Sequence, residues 1–226
     1  MITIRDIESH IYSKPATLLI DSGREEKLGK DFIPGHSYYG IQQSLIKDNA
    51  WFAGVFFEKG LPTMLYFFHN PDTIGQLYKE NKNIQPGEAP LKTRSKLFIE
   101  ANTNAALVYS LIDESYAIVK SKMTKAVQAE IDAIANEPNV YPFLKQIADE
   151  LGAEVGWDTR TGSVQAGTPY FKYFDKNKSQ QHYIGRFYHN QLLIGPYGYE
   201  KEAIGAERKE EWKAIILAKK EQLVSA

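Results

Sequence analysis

The 226-residue chain has no cysteine. That excludes disulfides, a cysteine nucleophile, and thiolate-held zinc or iron–sulfur clusters, and it fits a reducing, cytoplasmic setting. Net charge is lacking too: 27 Lys and Arg stand against 28 Asp and Glu, leaving −1. No global field therefore steers the chain toward nucleic acid or an anionic membrane, and any such binding needs a local patch. No apolar run approaches the ~18 residues that span a bilayer. The N-terminus lacks the basic segment leading into an apolar stretch that marks a secretory signal. Neither G-x-x-x-x-G-K-[ST] nor G-x-G-x-x-G occurs, which removes two phosphate-cradling loops. No internal repeat and no low-complexity linker interrupts the sequence.

Aromatic residues are plentiful: 14 Tyr, 11 Phe and 3 Trp. These side chains favour sheets, and Tyr favours contact surfaces because an apolar body carries a polar tip. With 43% hydrophobic and 24% charged residues, the chain has ordinary globular composition. Its length suits one α+β domain over residues 1–226, with Asn136 to Pro142 as a candidate sub-domain seam.

Local patterns then place the elements. Ile4, Ile7 and Ile11 share one face of a short helix over 3–13, which Pro15 stops. Ala16 to Asp21 reads as a buried strand, and Arg24 to Lys30 as a charged loop. Ser37 is placed to cap a helix to about Lys47, with Ile41, Leu45 and Ile46 inward. Trp51 to Glu58 and Pro62 to His69 flank Lys59-Gly60-Leu61, the pattern of a hairpin with a positive-φ glycine. A helix follows Asn70-Pro71-Asp72 to Glu80, then a polar loop over 81–90 and a strand over 96–100. Val108, Ile112, Val119, Met123, Val127, Ile131 and Ile134 recur at close to the helical period, predicting one long helix over about 103–136. A second helix starts near Pro142 and stops at Gly152. Strands over 154–158, 163–166, 170–175, 183–189 and 192–194 precede a helix over 206–224. Strands come in runs, not in βαβ alternation. The expected fold is α+β, with mostly antiparallel sheet, a long central helix and a C-terminal helix packed on the sheet.

Candidate chemistry is sparse. Gly35-His36-Ser37-Tyr38-Tyr39-Gly40 has the outline of a nucleophile elbow, but its second glycine arrives one residue late and Pro34 breaks the preceding strand. The histidines at 10, 36, 69, 182 and 189 form no i, i+4 pair, so the spacing predicts no metal site. Asp149, Glu150, Glu154 and Asp158, with Gln165 and Lys172 downstream, hold the residue types of a Mg²⁺-dependent nuclease without its usual spacing. Gly195-Pro196-Tyr197-Gly198 reads as a turn, and Asn177-Lys178-Ser179 matches a glycosylation sequon by chance.

The richest stretch is 170–189. Tyr170, Phe174, Tyr183 and Tyr188 are interleaved with Lys172, Lys176, Lys178 and Arg186. On a strand, Tyr170, Lys172 and Phe174 fall on one face and Phe171, Tyr173 and Asp175 on the other. Rings for bases and cations for phosphates are what single-stranded nucleic acid needs. By elimination, the sequence reads as a non-catalytic interaction protein: an adaptor, inhibitor or accessory factor of an intracellular bacterial or mobile-element system. Another protein is the expected partner, with single-stranded nucleic acid on 170–189 as the alternative and a metal-dependent nuclease or other hydrolase as a third reading. No cofactor, metal or membrane partner is expected.

Overall fold

The computed structural model describes residues 1–28, 30–42, 50–87, 93–152, 156–158, 170–175, 180–196 and 201–225. The chain opens with α1 (Ile4–Tyr12). Thr3 and Asp6 close a reciprocal capping box at its start, and Ile7 and Ile11 are fully buried. Then come β1 (Thr17–Gly23), β2 (Glu26–Leu28), β3 (Asp31–Ile33), β4 (Gly35–Ile41), β5 (Trp51–Glu58) and β6 (Leu61–Phe68). α2 (Ile74–Glu80), β7 (Ile84–Pro86) and β8 (Arg94–Phe98) complete a six-stranded antiparallel sheet in the order β1-β4-β5-β6-β8-β7. The β5–β6 turn uses Lys59 at φ 51° and Gly60 at φ 75°, the left-handed pair that matches strand twist in a two-residue hairpin.

α3 (Ala105–Ser121) covers one face of this sheet, burying Val108, Leu111, Ile112, Tyr116 and Val119. Its fully buried Ser115 hydroxyl donates to the Phe52 carbonyl and accepts from the Phe68 amide. A polar group sunk in the core is thus satisfied by sheet backbone. α4 (Lys125–Ala133) and α5 (Tyr141–Leu151) lead to a five-stranded antiparallel sheet. Its strands are β9 (Gly156–Asp158), β10 (Tyr170–Asp175), β11 (Gln180–Tyr188), β12 (Gln191–Ile194) and β13 (Glu202–Ile204), in the order β13-β12-β11-β10-β9. A 3₁₀ segment, Ala206–Glu211, feeds α6 (Trp212–Ser225), whose Trp212 packs against Phe187 and Phe143.

The class is α+β with antiparallel sheets and a C-terminal helix on one of them. Four local expectations are corrected. Residues 35–41 form an inner strand, not the start of a helix: alternation of Ser37 and Tyr39 with His36 and Tyr38, plus aromatic strand preference, outweighs a serine cap. Leu45 and Ile46 lie outside the described residues. The long helix is two, parted at Lys122–Thr124, because the Thr124 hydroxyl accepts from the Val127 amide and starts a new helix. The charged loop at 24–30 contains β2, paired with β3, and the polar loop after Asn81 contains β7, paired with β8. β13 carried no readable alternation in its three residues. The strand expected over 163–166 lies outside the described residues.

Candidate functional site

Strand register brings most of the 170–189 residues onto one face. Tyr170 pairs with Arg186 and Lys172 with Tyr183. An extra residue at Ile184 lets Tyr183 and Arg186, three positions apart, point the same way. The Tyr170 and Tyr183 ring centroids lie 6.1 Å apart, Lys172 Nζ is 5.8 Å from the Tyr170 ring, and Arg186 Cζ is 5.8 Å from the Tyr188 ring. Phe174 is 54% exposed, the outermost ring of the set. The opposite face is the packed one: Phe171 and Phe187 are buried there, and Lys220 of α6 lies over Tyr173. Six of the eight residues singled out from the sequence therefore share one side of β10 and β11. Lys176 and Lys178 lie outside the described residues.

The six-stranded sheet carries a second aromatic face that sequence reading missed. α1, α2 and α3 contact its other side through Tyr39, Ser95 and Phe52. On the outer side, rings run continuously: His36 to Tyr38 at 5.5 Å, Tyr38 to Trp51 at 5.4 Å, Tyr38 to Phe56 at 5.8 Å, Phe56 to Tyr66 at 5.4 Å, and Trp51 to Phe68 at 5.0 Å. Gly54 lies between Tyr38 and Tyr66 in the register, and a Cβ there would sit 2.6 Å from the Tyr38 ring. The glycine is therefore the seat of that ring. The Arg94 guanidinium lies 4.4 Å from the Trp51 ring centroid and 4.9 Å from that of Phe68. Burial raises the Tyr38 pKa above the ordinary tyrosine value, helped by Tyr66 and Asp21. The strands β5 and β6 are legible in the sequence, but β4 reads there as the start of a helix, and the pairing of Phe68 with Arg94 is not legible.

Between the sheets sits a buried joint. The Gln42 amide donates to the Phe187 carbonyl, and its oxygen accepts from the His189 amide at 2.9 Å. His189 and Asn190 both adopt left-handed φ in the β11–β12 turn. The His189 ring places Nδ1 3.1 Å from a Glu130 carboxylate oxygen and Nε2 3.4 Å from the Gln42 carbonyl. Both neighbours accept, so they favour the protonated ring. Burial opposes and outweighs them, holding His189 below the ordinary histidine pKa. The unfolded chain, near pKa 6.5, then binds a proton that the folded chain resists. This contribution is complete above that pH and is lost as pH falls through it toward the folded value. Urea midpoints at about pH 7.5 and about pH 5.5 should show the drop, reduced in His189→Asn, whose side chain tolerates the same backbone.

The remaining sequence candidates do not converge. Ser37 lies mid-strand in β4, not at a strand-to-helix elbow. Asp149 pairs with Lys145 at 3.0 Å and Glu150 with Lys213 at 2.8 Å on the α5 surface. Glu154, Gln165 and the Asp158 side chain lie outside the described residues. Among the described residues no three His, Asp or Glu are grouped to hold a metal ion, and no helix is long and apolar enough to cross a membrane.

Neither a family model nor a curated protein matches the chain. Among solved structures, it is similar to a Deinococcus radiodurans protein with the domain DUF419, at 20% identity and a TM-score of 0.47, over 58% of this chain and 89% of that one.

Proposed function

We propose that this chain is a non-catalytic macromolecular interaction protein, and that the outer face of β10 and β11 is a contact surface whose chemistry suits single-stranded nucleic acid. The supporting observation is the strand register that sets Tyr170, Lys172, Tyr183 and Arg186 side by side, with Phe174 exposed beyond them. Bases stack on the rings while the lysine and arginine meet phosphates. The near-neutral net charge confines attraction to this patch, so binding rests on stacking as well as on charge.

The test is affinity for a dye-labelled oligo-dT at several salt concentrations. Binding should weaken as salt rises, because each neutralised phosphate releases counterions. Phe174→Ala should lower affinity about 5- to 150-fold, the equivalent of losing one stacked base. Because Phe174 is exposed, its melting temperature should stay that of the parent. Absent binding, or binding indifferent to salt and to Phe174, would remove the nucleic-acid reading.

A further inference from the structure

The outer face of the six-stranded sheet has different ring geometry from the face of β10 and β11. The three ring pairs around Tyr38 meet edge to face, at 60° for His36–Tyr38, 70° for Tyr38–Trp51 and 88° for Tyr38–Phe56, and the other pairs are tilted by 35° to 58°. Edge-to-face packing ties a ring to its neighbours and offers few open π-faces. Bases need open faces. Apolar side chains need only the ridges and gaps that such a surface provides.

Charge on this face is one-sided. Arg94 makes no ion pair with a described carboxylate; its contacts are the Trp51 and Phe68 rings, and its Nε is buried without a hydrogen-bond partner. Lys122 lies over Phe68 at 5.3 Å and Lys96 over Phe98 at 5.5 Å. Asp21, on the far edge strand, is 3.6 Å from His36. Among the described residues no carboxylate pairs with this basic end, at an edge where Trp51 and Phe68 are only 8% exposed. A guanidinium is a planar fork of N–H donors, the shape that grips a carboxylate with two hydrogen bonds, and the buried Arg94 Nε is a donor still without an acceptor. Trp, Tyr and Arg are also the residues that dominate protein–protein binding energy.

We infer that this face docks an acidic segment of a partner protein, with apolar side chains against the Tyr38–Phe56–Tyr66 rings and a carboxylate on Arg94. The test uses the full chain labelled with ¹⁵N and two synthetic peptides, one alternating leucine and glutamate, the other leucine and glutamine. The glutamate peptide should shift the Trp51 indole and Arg94 Nε–H resonances and bind at least about 10-fold more tightly than its glutamine twin. Arg94→Gln should erase that preference, and Arg94→Lys should recover only part of it, because an ammonium lacks the planar fork. If Arg94→Gln fails to fold, Lys96→Gln and Lys122→Gln should each narrow the preference. Equal binding of the two peptides overturns the inference. So does an oligo-dT that shifts the Trp51 and Arg94 resonances while both peptides leave them still, which would make the face a nucleic-acid surface. Phe174→Ala should leave peptide binding unchanged, so failure here is separable from failure of the nucleic-acid reading on β10 and β11.

Discussion

Trp212→Ala should destabilise the protein by about 3–5 kcal/mol, the usual loss when a buried Trp or Phe is cut back to Ala. Trp212 is fully buried and stands where α6 meets the five-stranded sheet. Its ring is 6.1 Å from Phe187 and 6.5 Å from Phe143. Truncation removes this apolar contact and leaves a cavity that the sheet on one side and α5 on the other cannot both collapse into. Its indole N–H has no hydrogen-bond partner among the described residues. Trp212→Phe therefore loses volume without losing a bond and should cost well under half as much. Urea unfolding followed by far-UV circular dichroism checks both. The functional corollary is that α6 backs the sheet whose outer side carries Tyr170, Lys172 and Tyr183. Trp212→Ala should therefore weaken nucleic-acid binding through disorder of the platform, with a lowered melting temperature. Phe174→Ala should weaken it with none. Equal stability of Trp212→Ala and parent would mean that α6 does not hold the sheet.

Gln42→Ala is the other large effect, at about 2–6 kcal/mol. The side chain is fully buried and gives one hydrogen bond and takes another. Its removal strands the Phe187 carbonyl and the His189 amide in the interior, at about 1–3 kcal/mol for each buried group left unpaired. Gln42→Met, which keeps the volume, should recover little, because the loss is polar and not steric. The consequence is also directional. Gln42 follows β4 in the six-stranded sheet, whereas Phe187 and His189 belong to the five-stranded one. The substitution should therefore loosen one sheet from the other. The amide resonances of Val55 in β5 and Ile184 in β11, followed through urea, report on the two sheets separately. Their urea midpoints should coincide with Gln42 present and separate with Ala there. A cost below about 1 kcal/mol would mean that the joint is not holding the two sheets.

Local pattern was readable where one period dominated. The β5–β6 hairpin, α1 and α5 follow from alternation, the 3.6-residue step and end signals such as Gly60, Pro15 and Pro142. It misled where two signals competed. Ser37 is a good cap residue, but His36 to Ile41 alternate like a strand, and inner-sheet pairing with β1 and β5 decided the matter. The helical period across 105–133 stays nearly in phase through Thr124, so periodicity alone could not reveal the break. Parity gave the β10 half of the candidate face, because side chains alternate on any strand. The β11 half depended on the extra residue at Ile184, which only register shows. The face around Arg94 was hidden for a simpler reason: β8 pairs with β6 across the intervening α2 and β7, and no local pattern encodes which strands become neighbours.

A ¹⁵N- and ¹³C-labelled sample titrated with oligo-dT, at low and then raised salt, locates binding residue by residue. Shifts should gather on Tyr170, Lys172, Phe174, Tyr183 and Arg186 and fade as salt rises, while Phe171 and Phe187 behind the sheet move little. A spectrum that does not change, or one that changes only on α6 and the buried side of the sheet, would contradict the assignment of this face.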